Sequence, residues 1–157
     1  MNYESLLMEA DSKNLITKEK PLKAYNGRIK GEKILIRKDM IAKQKGCVLA
    51  EELGHYHTTI GNILDQSKTE NRKQELHARA WAYNKMIGLT GIINSYEHGC
   101  RTLHDTADYL DVTEEFLIEA LIYYRNKFGI CTTIDNFIIY FEPVLGVAKI
   151  ELNNIKP

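Results

Sequence analysis

Glu51-Glu52-Leu53-Gly54-His55 places two carboxylates and an imidazole within five consecutive residues. The segment differs at one position from H-E-x-x-H, in which histidines at i and i+4 ligate a metal from one helical face and the glutamate acts as general base. At about 100° per residue, His55 lies roughly 40° round the helix from Glu51, so both side chains can reach one ion. Glu52 lies roughly 100° away, at the edge of the same arc, where it can take a proton from an attacking water. Gly54 costs a helix about 1 kcal/mol relative to Ala, which points to a close approach of backbone or substrate at that turn. Taken by itself, E-x-x-H is a weak signal, and an exposed acidic face with one histidine is the better reading of it.

A third ligand is available downstream, in Gln74-Glu75-Leu76-His77-Ala78-Arg79-Ala80-Trp81-Ala82. Glu75, Ala78, Arg79 and Ala82 share a helical face. The two alanines allow that face to pack closely on another helix, which is the approach Glu75 needs to reach an ion held by the first helix. The alternative is an Ala-rich packing face whose glutamate extends to solvent. His57 lies roughly 200° round the helix from His55 and cannot share its ion. His77 is off the face that carries Glu75. His98 and His104 are expected at the surface, the alternative being that one of them polarises a substrate carbonyl.

The elements that must position these groups follow from patterning. Residues 3 to 12 read as an amphipathic helix with Leu6, Leu7 and Ala10 inward, and Pro21 ends any local helix. Residues 25 to 37, with Gly27 and Gly31 as turn residues and Lys33 to Arg37 as a β-prone run, predict a hairpin or meander. Asp39 can cap a helix running to about Thr59, with Leu49, Leu53, Tyr56 and Ile60 as its apolar stripe. Ser67 to Lys73 reads as a loop and Arg72 to Ile87 as a second long helix. Gly88 and Gly91 punctuate, two or three shorter helices follow to about Lys127, and residues 132 to 152 turn β-like around a Glu142-Pro143 break.

The chain has 157 residues, 44% hydrophobic and 27% charged, which fits a globular protein with one core. No apolar run approaches the roughly 18 residues of a membrane span, and the start is not that of a signal peptide. Cys47, Cys100 and Cys131 form no C-x-x-C pair, consistent with reduced thiols and a cytoplasmic location. The zero net charge conceals an asymmetry. Lysines and arginines dominate from Lys13 to Lys45. From Thr102 to Arg125, Asp105, Asp108, Asp111, Glu114, Glu115 and Glu119 face Arg125 alone.

Three stretches together resemble the ImmA/IrrE metallopeptidases of bacteria, phages and mobile elements. Ile34-Leu35-Ile36 before a basic helix is similar to the strand and helix that lead into that family's active site. Val48-Leu49-Ala50-Glu51-Glu52-Leu53-Gly54-His55-Tyr56 resembles its apolar-Ala-H-E-L-G-H-Y segment, and Glu75-x-x-Ala78-x-x-Trp81-Ala82 its E-x-x-A-x-x-F-A segment. The resemblance implies Glu52 as general base and His55 and Glu75 as metal ligands, with Glu51 at the position of the first ligand. It also implies a divalent metal, zinc in the family. Glutamate can ligate zinc at about 2.0–2.2 Å. Two carboxylates would nearly neutralise the ion, however, giving a weaker Lewis acid and favouring harder ions such as manganese or iron.

Residues 102 to 121 fit a helix-turn-helix, with Ala107, Leu110, Val112 and Leu117 inward, Thr113 as cap and Asp111 at the turn. The second helix carries Glu114, Glu115 and Glu119 and would repel phosphates, so direct DNA binding is not expected. An acidic docking surface for a basic partner is the functional alternative to plain packing. The expected fold class is α+β. A zincin-like core of a small sheet and active-site helices (1–90) precedes a helical helix-turn-helix-like segment (91–130) and a C-terminal β hairpin within residues 131–157. The resemblance implies a metal-dependent endopeptidase acting on a helix-turn-helix repressor of a phage or mobile element. The alternative is a pseudo-peptidase that binds the regulator without cutting it.

Overall fold

The computed structural model describes residues 1–59 and 68–151. The elements run α1 (Tyr3–Ser12), β1 (Ile16–Lys20), β2 (Gly27–Lys30), β3 (Lys33–Arg37), α2 (Ala42–Thr58), α3 (Lys68–Met86), α4 (Gly88–Glu97), α5 (Leu103–Leu110), α6 (Glu114–Phe128), β4 (Cys131–Ile134), β5 (Phe137–Tyr140) and β6 (Gly146–Lys149). The fold is α+β, as patterning predicts.

The first sheet has the order β1-β3-β2. β3 is central because Ile34 and Ile36, both fully buried, point from it into the core. β2 pairs with it antiparallel across the turn at Gly31, whose φ of +59° suits glycine. β1 pairs with it in parallel. Patterning does not predict β1, because Lys18, Glu19 and Lys20 are all exposed and the strand is held by pairing more than by burial.

α1 opens on Asn2, whose Oδ1 accepts from the Ser5 N–H at 2.9 Å, and buries Leu6 and Ala10. α2 starts at Ala42, later than a cap at Asp39 would place it. Asp39 instead pairs with Arg37 at 2.6 Å, and Gln44 Oε1 accepts from the Ile41 N–H at 3.2 Å. Leu49 and Leu53 are fully buried as expected, but Tyr56 is exposed and Ile60 lies outside the described residues. α3 begins at Lys68, so most of the expected polar loop is helical, in keeping with the helix propensity of lysine, glutamate, arginine and glutamine. Ser67 lies outside the described residues.

The stretch read as a helix-turn-helix forms two consecutive helices, α5 and α6, joined through Asp111 to Thr113. Thr113 Oγ1 accepts from the Phe116 N–H at 3.1 Å, and Asp111 adopts φ 55°. Ala107, Leu110, Val112 and Leu117 are buried. The C-terminal β hairpin is corrected to a three-stranded antiparallel sheet in the order β4-β5-β6. β5 is central there, and its Ile139 is fully buried, so the apolar run gains a strand on each side. One core connects Leu6 of α1 with Leu53, Tyr83, Leu117 and Ile139. Among the described residues, no helix is long and apolar enough to cross a membrane.

Candidate active site

The site is built where α2 and α3 touch. A Cβ on Gly54 would lie 2.2 Å from the Ala78 carbonyl oxygen, so only glycine permits this approach. Ala78 and Ala82 are fully buried in the same contact. The close approach that Gly54 predicts is therefore that of a neighbouring helix backbone. Glu75 sits one turn before Ala78 and is carried against the last turns of α2. Its Oε2 lies 3.2 Å from His55 Nε2.

β2 closes the other flank. A Cβ on Gly27 would lie 2.4 Å from Val48 Cγ1 and 3.1 Å from Glu52 Oε1, so the strand lies directly on the Glu52 side chain. Burial pushes the Glu52 carboxyl up to about 7, with the Glu51 and Glu75 charges adding to the shift. A hydrogen bond from the Ile29 backbone N–H and the charge of Arg28 oppose it. A carboxyl that titrates near neutrality can both accept and return a proton. Glu52 and His55 line one cleft of about 590 Å³, together with Arg28, Ile29 and Gly31. A larger cavity of about 640 Å³, between α4, α5, α6 and the C-terminal sheet, contains none of Glu51, Glu52, His55 and Glu75.

Glu51 opens elsewhere. It lines a hollow of about 220 Å³ with Cys47, Thr113, Glu115 and Glu119. Burial raises its carboxyl to about 7, Arg79 draws it down, and the Glu119 and Glu75 charges raise it further. The structure thus brings Glu75 to His55 and sets Glu52 on the same cleft, while Glu51 faces the α6 side. Among the described residues, no group of three or more His, Cys, Asp or Glu side chains is arranged to hold a metal.

The pair nonetheless fits part of a metal shell. Bonds of about 2.0–2.1 Å in a tetrahedron put ligand atoms about 3.3 Å apart, close to the 3.2 Å between His55 Nε2 and Glu75 Oε2. His55 and Glu75 can occupy two corners, and Glu51 does not supply a third in this arrangement.

Sequence reasoning placed Arg79 on the Glu75 face and gave it no role. Its Nε donates to Glu75 Oε1 at 3.0 Å, an i,i+4 contact that spacing alone could have flagged. The remaining histidines lie outside the cleft. His57 stacks on Trp81 at 4.6 Å between ring centroids. His77 is exposed, and His98 rests on the Tyr109 ring. His104 is exposed between Asp108 and Glu114, at 3.3 and 2.7 Å. Glu114, Glu115 and Glu119 stand exposed on α6, and α6 itself carries no lysine or arginine before Arg125.

The sequence model of the peptidase M78 family, described as the IrrE N-terminal-like domain, matches residues 10–121. No curated protein and no solved structure matches the chain. The matched span runs from the second half of α1 into α6 and includes Glu51, Glu52, His55 and Glu75. With that match covering most of its length, the chain belongs to the M78 family of IrrE N-terminal-like domains, the ImmA/IrrE metallopeptidases.

Proposed function

We propose that the protein is a metal-dependent endopeptidase-like enzyme whose target is a helix-turn-helix repressor of a phage or mobile element. The observation that supports this reading most is the convergence of three groups: Glu52 and His55 on one cleft, and Glu75 3.2 Å from His55. His55 and Glu75 would hold the divalent ion, zinc by family resemblance, with manganese or iron favoured if Glu51 joins them. When bound, the ion supplies the electrophile that polarises a scissile carbonyl. Glu52, oriented by the Ile29 N–H, takes a proton from the attacking water and returns it to the leaving amine. β2 is an edge strand whose Arg28 and Ile29 line the cleft, a suitable rail for an extended substrate segment. The acidic face of α5 and α6 suits the basic DNA-binding surface of a repressor.

A second reading is favoured by the position of Glu51, which faces α6 instead of the His55–Glu75 pair. In that reading the protein binds the repressor without cutting it. Incubation with the repressor encoded beside it, comparing wild type with Glu52→Gln, separates the two. Cleavage by wild type and not by the variant supports the enzyme. Stable binding with no cleavage by either supports the pseudo-peptidase.

A further inference from the structure

Glu75 is shared between two partners. Its Oε2 faces His55 Nε2 at 3.2 Å, and its Oε1 accepts from Arg79 Nε at 3.0 Å. The Glu75 carboxylate that would help neutralise a divalent ion is therefore already opposed by a fixed cation of this chain. Unlike lysine, arginine cannot relieve the conflict by losing its proton. Tyr83 and Glu119 line the same shallow hollow as Arg79, and Glu119 accepts from the Tyr83 hydroxyl at 3.1 Å, so Glu119 offers only a shared carboxylate as an alternative partner.

We infer that Arg79 is a built-in competitor of the metal, a resident guanidinium that holds Glu75 in place of a divalent ion. The protein then exists mainly with this internal ion pair, and metal must displace it or bind beside it. This inference rests on the part of the proposed function that assigns His55 and Glu75 to a cation, and not on peptidase activity or on a repressor target. The rival role is support: an arginine that hydrogen-bonds a ligand's second oxygen can orient it and strengthen binding. The two roles predict opposite signs.

The test is calorimetric titration of Zn²⁺, and separately Mn²⁺, into metal-stripped full-length protein, with Glu75→Gln as the control for adventitious sites. Arg79→Gln keeps a donor for Glu75 while removing the charge, Arg79→Lys keeps the charge, and Arg79→Ala removes both. Melting curves confirm that each is folded. Competition predicts that Arg79→Gln binds about tenfold or more tightly than wild type, that Arg79→Lys stays near wild type, and that the gain vanishes when Glu75→Gln is added. Equal or weaker binding by Arg79→Gln overturns the inference and makes Arg79 a positioning residue, leaving the metal assignment standing. Absence of Glu75-dependent binding in every protein overturns both, whatever the repressor assay gives.

Discussion

Removing the Glu52 charge should stabilise the metal-free protein at alkaline pH. Glu52 lies under β2, against Gly27 and Val48, with one backbone donor from Ile29. Burial raises its carboxyl from the ordinary 4.5 to about 7. A carboxyl whose folded pKa lies above its unfolded value supports folding fully below the unfolded pKa. That support is lost as pH rises through the folded one. A shift of this size corresponds to about 3 kcal/mol at pH 8. Gln is nearly isosteric, keeps an acceptor for the Ile29 N–H, and carries no such term. Glu52→Gln should therefore melt about 6–12 °C above wild type at pH 8 and within a few degrees of it at pH 4.5, given roughly 2–4 °C per kcal/mol for a chain of this size. Glu51 titrates in the same range and its charge acts on Glu52, so the difference between the two proteins reports the Glu52 charge together with its repulsion by Glu51. The assay is thermal unfolding of chelator-treated protein from pH 4.5 to 8.5. Parallel melting curves for the two proteins across that range would refute the placement of Glu52 as a desolvated, strained carboxyl.

Two further substitutions probe the scaffold. Gly54→Ala puts a methyl 2.2 Å from the Ala78 carbonyl oxygen, forcing α2 and α3 apart. The overpacking cost should exceed the roughly 1 kcal/mol of helix propensity gained, for a net loss of about 2 kcal/mol in urea unfolding; unchanged stability would mean that the helices are not in that contact. Asp111→Gly relieves a φ of 55° at the α5–α6 turn. It should add up to about 1 kcal/mol, whereas destabilisation would show that the aspartate side chain holds the turn.

The helical scaffold and the approach of Glu75 to His55 were legible because each left a local mark. Gly54 and the Ala78–Ala82 spacing announced a tight helix contact, and that contact delivers Glu75 to His55. The α5–α6 pair was readable from Ala107, Leu110, Val112 and Leu117 together with the Thr113 cap. β1 was not, since its charged residues become a strand only through pairing with β3. Asp39 looked like a cap but is taken by Arg37, a competition that spacing does not rank. β5 and β6 are the two runs of the expected hairpin, whereas β4 is short and partly exposed and joins the C-terminal sheet only through pairing with β5. The direction of Glu51 was the largest gap. The helical wheel puts it within about 40° of His55, yet Glu51 lines a hollow with Thr113, Glu115 and Glu119 of the α6 region, a tertiary arrangement that helical spacing does not contain.

The central claim is that Glu52, beside the His55–Glu75 pair, performs proton transfer in cleavage of a repressor chain. Mass spectrometry of the neighbouring helix-turn-helix repressor, incubated with metal-supplemented wild type and with Glu52→Gln, tests it most directly. The account predicts one internal cut by wild type and a rate at least about 10²-fold lower for the variant. An intact repressor in both reactions, or equal cleavage by both proteins, would contradict it.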